Sequence, residues 1–289
     1  MIGFSDYAVV KGKDLRTVEQ IASFCSEETR QKMHEIGLRQ VQTDNKALLA
    51  DMIAEAYHKT GRTPDCVFVA HSLPFIRRND GDIPGIDVPI FYLSGEPCAI
   101  MHKAVEMACM MIENNFYDSV MVIGTDKAYS DRERVFFDTI MGDAAAALLL
   151  EQGGVNKILA SHVSTTIIAP DGENSSEEEI QKFRAVNVSL MRSAIHGCME
   201  KAGVDKVDHF ITHTSNRKFW DSLAALMKIP RELFLDCNIC KTGHMNSHDS
   251  FIHYLDFCEQ GVIAQGETVM LINPGFGGTQ GCTIIRNRR

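Results

Sequence analysis

The chain has 289 residues, of which 45% are apolar and 23% are charged, proportions that are typical of globular proteins. Its 29 Lys and Arg against 38 Asp and Glu give a formal net charge of −9, which argues against a general nucleic-acid-binding protein. No uncharged apolar stretch reaches the roughly 18–20 residues that span a bilayer, so we expect no membrane insertion. The N-terminal residues show no basic run followed by an apolar run, as a signal peptide would, and the nine cysteines are an odd number for a disulfide framework. Together these features favour a cytoplasmic chain with reduced thiols.

Short apolar runs alternate with longer helical patterns along the chain. The runs predict buried strands and the longer patterns predict helices. In chain order, strands are expected at 66–70, 89–93, 119–124, 209–212 and 268–272, and helices at 46–60, 99–114, 176–202 and 217–227. Ser176 and Glu179 form a capping box at the start of one helix. This alternation predicts an α/β fold in which helices cover both faces of a sheet.

The order of the elements also indicates a duplication. The strand and polar end at 67–72 resemble those at 209–214, and the strand pair after Val120 resembles the pair after Val269. We therefore expect an N-terminal half at 1–155 and a C-terminal half at 156–289, connected within the polar stretch 152–176. Two halves packed face to face would place a site at their seam.

The sharpest local feature surrounds Cys98. A strand-like run leads through Gly95 and Pro97 into a helix, with Cys98 at the helix start. The positive end of the helix dipole favours a thiolate there, and a strand-to-helix elbow exposes it to an electrophile. The alternative is a buried structural cysteine, which is how the other cysteines are interpreted.

Two histidines could serve a nucleophilic Cys98 as base or proton carrier. His213 ends a predicted strand, and His244 lies in a polar loop before a helix. Both positions put side chains at the edge of the sheet, where sites of layered α/β folds form. The alternative is a hydrogen-bonded histidine without a catalytic role.

A glycine-rich turn follows the last long apolar run. Gly277 and Gly278 could bring backbone N–H groups to a ligand and complete an oxyanion hole with the N–H of Cys98. The alternative is a plain tight turn. Cys237 and Cys240 form a C-x-x-C pair, but they lack the second pair that zinc needs. We expect no metal site.

Taken together, these segments resemble the thiolase superfamily, and within it the ketoacyl-acyl-carrier-protein synthase III branch. The matching segments are Ile36–Arg39, the Cys98 elbow, 122–126 with 142–146, 213–216, Gly243-His244 and Phe276–Gly278. The resemblance implies a five-layered αβαβα fold with two duplicated halves, a homodimer or heterodimer, and ping-pong acyl transfer through acyl-Cys98. The donor would be a thioester of an acyl carrier protein or coenzyme A, with no further cofactor. His213 would polarise a thioester carbonyl.

The chain departs from the synthase III pattern at one catalytic position. The family Asn is His244 here, which gives the Cys-His-His set of elongating synthases. A related subgroup of secondary metabolism has His followed by Asp five residues later, and Asp249 fits that spacing. There the Asp holds the His as a general base for an attacking hydroxyl or amine, a role that Asn cannot fill. Cys98, His213, His244 and Asp249 are thus the predicted catalytic residues.

The region that holds the donor also departs from the family. Gln31 and Glu35 stand where the family has a stacking Trp and an Arg for coenzyme A, which favours a carrier-protein donor. Arg217 and Lys218 stand where the family presents a basic residue to its acidic carrier protein. The alternative for Arg217 is an exposed helix charge.

The resulting expectation is an acyltransferase that loads Cys98 and passes the acyl group to a hydroxyl, an amine or a starter unit in biosynthesis. Two alternatives stay open: decarboxylative condensation with malonyl carrier protein, and a catalytically silent subunit of a heterodimeric synthase. Retention of Cys98, His213 and His244 argues against the silent subunit.

Overall fold

The structure, a computed structural model, describes residues 1–72, 83–136, 139–214, 216–236 and 239–288. The strands are β1 (Ile2–Lys11), β2 (Asp14–Thr17), β3 (Gln40–Thr43), β4 (Cys66–Ala70), β5 (Ile90–Leu93), β6 (Ser119–Asp126), β7 (Val135–Phe136), β8 (Thr139–Ile140), β9 (Ala144–Gln152), β10 (Asn156–Thr165), β11 (His209–Thr212), β12 (Phe234–Leu235), β13 (Thr268–Pro274) and β14 (Thr279–Arg286). The helices are α1 (Val18–Ile21), α2 (Glu27–Glu35), α3 (Leu49–Lys59), α4 (Ile100–Glu113), α5 (Asp131–Arg134), α6 (Glu177–Ala202), α7 (Arg217–Met227), α8 (Ile239–Thr242) and α9 (Asp249–Glu259).

Several predicted boundaries are confirmed, because apolar runs between turn residues mark them well. β4, β11 and α7 have the predicted bounds, and the Ser176–Glu179 capping box opens α6. The helix expected from residue 46 begins later, at Leu49. Asp44 Oδ1 accepts the backbone N–H groups of Lys46 and Ala47, so these residues form a turn that precedes the helix.

Two sets of five strands share one topology. Their joint order is β12-β11-β13-β14-β10-β1-β9-β6-β4-β5. Within each set the order is third, second, fourth, fifth, first, which is the duplication that the sequence predicts. Among the described residues, strands of the two sets pair with each other only between β1 and β10, over two residue pairs. The stretch 152–176, within which we expect the two halves to connect, contains the ten-residue strand β10, which the sequence analysis did not predict.

Helices form the layers outside and between the two sets of strands. α3 packs on the first set, and α6 and α7 pack on the second. α4 and α9 share one buried cluster between the two sets. This is the predicted αβαβα arrangement, and the fold class is confirmed. Among the described residues, no helix is both long enough and apolar enough to cross a bilayer.

A buried ion pair fastens the segment that lies between β6 and β9. The Arg134 guanidinium donates to both Asp143 carboxylate oxygens, at 2.7 and 2.6 Å, and neither side chain is exposed. It also donates to Asn45 Oδ1, while the Lys127 ammonium lies 3.4 Å from Asp143. Removing one partner of such a pair leaves a buried charge without compensation.

We expect Arg134→Met to lower the free energy of unfolding by about 3 kcal/mol, because Asp143 keeps only Lys127 as a cationic partner. Urea unfolding followed by circular dichroism measures the change. Glu28→Gln, which removes an exposed ion pair with Lys32, is the control and should leave the unfolding midpoint in place. Equal unfolding midpoints for the two variants would contradict the stabilising role of the buried Arg134–Asp143 ion pair.

Candidate active site

Cys98 lies on a strained elbow between β5 and α4. Its φ is 55°, a left-handed conformation that few residues other than glycine adopt. The sequence predicts Cys98 at the start of the helix. In the structure the helix begins at Ile100, so Cys98 precedes it by two residues. The Cys98 N–H donates to Ser72 Oγ at 3.3 Å. Strain of this kind persists only where the surroundings hold it.

Asn273 near the end of β13 and Gly275 directly after this strand hold the elbow in place. The Asn273 amide donates to the carbonyl of Cys98 at 2.9 Å, and to those of Asn246 and Ser247 at 3.3 and 3.1 Å. Asn273 thereby links the turn at Cys98 in the first half to the loop that follows His244 in the second half. A Cβ at Gly275 would lie 2.0 Å from the Pro97 carbonyl oxygen, so only glycine permits this contact.

His244 is held by the first half as well as by its own loop. Its N–H donates to the Ile140 carbonyl at 2.8 Å, and its carbonyl accepts from Gly142 N–H at 2.9 Å. Gly243 precedes it with a φ of 73° and turns the chain towards this contact. His244 Nε2 consequently lies 3.7 Å from Cys98 Sγ, and both side chains are buried.

Asp249 lies behind His244, as the sequence spacing predicts. Its Oδ2 is 3.4 Å from His244 Nδ1. It also accepts the Thr214 N–H at 2.6 Å and the Thr214 hydroxyl at 2.9 Å. A carboxylate at Nδ1 favours the proton there and leaves Nε2 towards the thiol. The order Cys98, His244, Asp249 is that of a nucleophile, a base and an orienting carboxylate.

The pKa values of the two site histidines shift in opposite directions. Burial opposes protonation of His244, but the nearby Asp249 carboxylate and the contact with Cys98 outweigh it and raise the pKa to about 10. Burial and the neighbouring His244 hold the pKa of His213 well below 6.5, so His213 stays neutral.

His213 directly follows β11, and its side chain lies beside that of His244. The two ring centroids are 4.4 Å apart at an interplanar angle of 78°. Neither His213 ring nitrogen has a hydrogen-bond partner among the described residues, although the side chain is only 5% exposed. A buried imidazole of this kind can donate to a ligand carbonyl.

Two cavities meet at Cys98. The first holds about 260 Å³ and brings Cys98, His213 and His244 together with Phe219 and Arg184. The second holds about 600 Å³ and is largely apolar; its lining includes Cys98, Met141, Ile167, Ala169, Phe276 and Gly277. An elongated substrate can therefore pass the thiol with one part on either side.

The predicted oxyanion residues are less closely grouped. Gly277 lines the second cavity with Cys98, and its carbonyl accepts the N–H groups of Ile168 and Ala169. The Gly278 carbonyl accepts from Thr166. Because Ser72 Oγ accepts the Cys98 N–H, a thioester oxygen would have to take the place of that hydroxyl. The oxyanion hole of Cys98, Gly277 and Gly278 stays a prediction.

Ligand-type atoms also cluster here. Cys98, His213 and His244 each offer one such atom, and the three lie within 4.8 Å of one another. The expectation that the chain has no metal and no cofactor stays a prediction.

The residues predicted to meet the donor do not line the first cavity, but each pair is close in sequence to a residue that does. Arg217 and Lys218 open α7 next to Asn216, which lines the cavity, and Arg217 Nε is 3.7 Å from Asp236. Gln31 and Glu35 belong to α2, which ends next to the cavity residue Ile36. Of the C-x-x-C pair, Cys240 lies in α8, and Cys237 falls outside the described residues.

Sequence reasoning missed several residues that build the site. Asn273, Ser72 and Thr214 position it through hydrogen bonds. A polar residue directly after the apolar run 269–272 was the available signal for Asn273. His253 was missed too, although it stands four residues after Asp249 on the same helix.

The chain matches family models along much of its length. A model described as 3-oxoacyl-[acyl-carrier-protein (ACP)] synthase III matches residues 95–166, and one for the C terminal of the same synthase matches residues 199–287. The first of these spans the Cys98 elbow, and the second contains His213, His244 and Asp249. The predicted resemblance is confirmed.

Individual relatives agree with these matches. The beta-ketoacyl-[acyl-carrier-protein] synthase III of Acholeplasma laidlawii is 32% identical over 201 residues, which cover 65% of this chain and 62% of that protein. The match thus spans less than two thirds of that relative. The 3-oxoacyl-[acyl-carrier-protein] synthase III of Aquifex aeolicus VF5 is 20% identical, covers 99% of this chain and 100% of that one, and superposes with a TM-score of 0.81. The acyltransferase ChlB3 is 16% identical with a TM-score of 0.82, and covers 99% of this chain and 98% of that one.

Buried neutral histidines make stability depend on pH. Burial lowers the pKa of His102 to about 4 and that of His248 to about 3. The unfolded chain binds these protons near pH 6.5, so stability is fully present above that pH and falls as the pH drops towards 4. His244 does not contribute in this window, because its raised pKa keeps it protonated throughout.

We expect His248→Gln to flatten this acid dependence by about 1.4 kcal/mol per pH unit, the contribution of one proton. Urea unfolding at several pH values between 4 and 6.5 measures the slope. His196→Gln, on α6, is the control and should keep the wild-type slope. An unchanged slope in His248→Gln would contradict the buried neutral state.

Proposed function

Because the chain belongs to the 3-oxoacyl-[acyl-carrier-protein] synthase III family of the thiolase superfamily, we propose that it is an acyltransferase that carries the acyl group as a thioester on Cys98. The observation that carries this proposal is the alignment of Cys98 Sγ, His244 and Asp249, with separations of 3.7 and 3.4 Å. The strained elbow and the two cavities support it. The chemistry divides into a loading step and a transfer step.

In the loading step, the Cys98 thiolate attacks the carbonyl carbon of the donor thioester. The carbon–sulfur bond to the donor then breaks, and the departing thiolate takes the proton of the His244 imidazolium. His213 faces the same cavity with unpartnered ring nitrogens and can donate to the carbonyl oxygen. The step leaves acyl-Cys98 and a neutral His244.

In the transfer step, His244 acts as the base. It accepts the proton of an acceptor hydroxyl or amine while the acceptor attacks the acyl carbon. Cys98 departs as a thiolate, which restores its pairing with the imidazolium. Asp249 at Nδ1 supports the protonated His244 that forms. Acylation removes the thiolate charge beside His244, which lowers the pKa of His244. A neutral imidazole is then available to accept the proton of the acceptor.

For the donor, we propose an acyl carrier protein. In a chain of net charge −9, Arg184 lines the first cavity, and Arg217 and Lys218 directly follow its lining residue Asn216. Gln31 and Glu35 offer neither an aromatic stack nor a cation to coenzyme A. A coenzyme A thioester is the alternative donor.

For the assembly, we propose a dimer through the edge strand β5. Phe91 and Tyr92 on this strand are 43% and 36% exposed, and an apolar sheet edge favours pairing with a second chain. A second copy and a homologous partner subunit are both compatible with this edge. The predicted cytoplasmic location stays a prediction.

Decarboxylative condensation with malonyl carrier protein is the alternative that a specific observation favours. His213 and His244 stand side by side at Cys98, as a condensing enzyme would need. Malonyl carrier protein added to the acylated protein distinguishes the two. Release of one carbon dioxide per acyl group consumed would show that the protein catalyses condensation instead of acyl transfer. No carbon dioxide release, while hydroxyl or amine acceptors react, would support acyl transfer.

We expect Cys98→Ala to abolish covalent labelling by acyl carrier proteins and small acyl thioesters, because it removes the nucleophile. Intact-mass spectrometry across a panel of donors measures the added acyl mass. Cys240→Ala, another thiol of the same chain, is the control and should label like the wild type. Labelling that survives in Cys98→Ala would remove the mechanism.

We expect Asp249→Asn to slow transfer from preformed acyl-Cys98 by about 10²–10⁴-fold, the scale for loss of a general base, and to slow loading much less. Without the carboxylate the pKa of His244 falls, so it is a weaker base at the moment of transfer. Rapid-quench mass spectrometry follows both steps separately. Equal losses in the two steps would contradict the separate role of His244 in transfer.

A further inference from the structure

The two cavities that meet at Cys98 differ in the charge of their walls. Among the described residues that line the second cavity, Glu96 and Asp171 are acidic and none is a Lys, an Arg or a His. The described lining of the first cavity includes Arg184 and no Asp or Glu. If the donor's carrier arm reaches Cys98 through the first cavity, the acyl group lies in the second. The wall of the second cavity then determines which acyl groups fit.

Asn246 brings an unpartnered hydrogen-bond donor to the second cavity, which it lines together with Cys98. The residue is 5% exposed, and its amide nitrogen Nδ2 has no hydrogen-bond partner among the described residues. The carbonyls of Asn246 and Cys98 both accept from the amide of Asn273, at 3.3 and 2.9 Å, so the two residues are neighbours. A buried donor without a partner is costly, and an oxygen of a bound ligand would relieve that cost.

The backbone of Asn246 does not by itself explain this amide. Its φ is 51°, in the left-handed region that asparagine adopts more readily than most residues. Glycine would meet the same requirement without steric cost. The left-handed backbone thus accounts for Asn or Gly at this position, but it does not account for a buried amide that lacks a partner.

Glu96 brings a hydrogen-bond acceptor to the same cavity. Its Oε2 accepts the hydroxyls of Thr165 and Thr279, at 2.9 and 3.2 Å, which fixes the carboxylate. Among the described residues none donates to Oε1, so this oxygen can accept from a ligand. Glu96 precedes Cys98 by two residues in one turn, in which the Ala99 N–H donates to the Glu96 carbonyl at 3.1 Å. Both Glu96 and Asn246 therefore lie close to the residue that receives the acyl group.

A hydroxyl group suits this pair of side chains. Its oxygen can accept from the Asn246 amide while its proton goes to the Glu96 carboxylate. An ammonium group can only donate, so it would leave Asn246 without a partner. A carboxylate on the acyl group would be repelled by Glu96 and Asp171. A plain alkyl group would satisfy neither Asn246 nor Glu96.

We propose that the acyl group carried on Cys98 bears a hydroxyl close to its carbonyl end, which accepts from Asn246 and donates to Glu96 in the second cavity. This inference rests on the proposed acyltransferase function. It names the substrate class of that function as hydroxyacyl thioesters, in preference to plain alkyl and dicarboxylic ones.

The first experiment compares the rates at which four acyl pantetheines load Cys98 of the wild type. The acyl groups are butyryl, 2-hydroxybutyryl, 3-hydroxybutyryl and succinyl, and intact-mass spectrometry follows the added mass over time. We expect one of the hydroxylated donors to load about tenfold faster than butyryl, the scale of one buried hydrogen bond, and succinyl to load slowest. Butyryl loading as fast as both hydroxylated donors, or succinyl loading as fast as either, would overturn the proposal.

Variants test whether Asn246 and Glu96 cause the preference. Asn246→Gly keeps the left-handed backbone and removes the amide, so the rate ratio of the hydroxylated donor to butyryl should fall about tenfold. Glu96→Gln, which replaces the free acceptor by an amide group, should lower the same ratio. Asn115→Gly, at another left-handed asparagine with a φ of 57° and an exposed side chain, is the control and should keep it. A wild-type ratio in Asn246→Gly, or an equal fall in Asn115→Gly, would overturn the proposal.

The second experiment needs no acyl transfer. NMR of the side-chain amides of Cys98→Ala is recorded with each pantetheine thioester in turn. The Asn246 signal is assigned by its loss in the added variant Asn246→Gly or, if that protein does not fold, through the backbone. We expect a hydroxylated thioester to shift the Asn246 signal more than butyryl pantetheine does.

No shift with either hydroxylated thioester, or an equal shift with butyryl pantetheine, would overturn the proposal. If the wild type never acquires an acyl group from any donor, the proposed function fails. The amide signal of Asn246 still decides in that case whether this residue binds a hydroxyl group.

Discussion

The site depends on one buried charge. Asp249 is fully buried, and an isolated ionised carboxylate in such a place would cost several kcal/mol. The chain offsets that cost with the N–H and hydroxyl of Thr214 and with the imidazoles of His244 and His253. These partners come from the end of β11, the loop before α9 and α9 itself. A change in any of the three segments therefore disturbs the base that faces Cys98.

The duplicated topology explains why that charge lies next to the thiol. In the first half Cys98 follows the third strand, and in the second half His213 follows the second strand. α4 and α9 occupy the layer between the two sets of strands, so the Cys98 elbow and the end of β11 open towards the same seam. Asn273 then links the two sides through three carbonyls. The site belongs to the contact between halves and to neither half alone.

The elbow stores strain that its surroundings balance. A left-handed residue with a side chain costs roughly 1–3 kcal/mol, and Cys98 adopts that conformation with a φ of 55°. Ser72, Asn273 and the close approach of Gly275 hold it there. The strain presents the sulfur to both cavities, which a cysteine inside a regular helix could not do.

The sequence by itself determined the strands and helices whose patterns are local, together with the family. β4, β11 and α7 follow from apolar runs and turn residues, and the motifs around Cys98, His213 and His244 indicate the fold that brings them together. β10 was missed, because its polar positions alternate too weakly to mark a strand and its partners β1 and β14 are remote in sequence. Only the tertiary structure decided the roles of Thr214, Asn273 and Ser72. An amide or a hydroxyl acquires its hydrogen-bond partner from atoms that are brought near by packing, and no local pattern encodes those atoms.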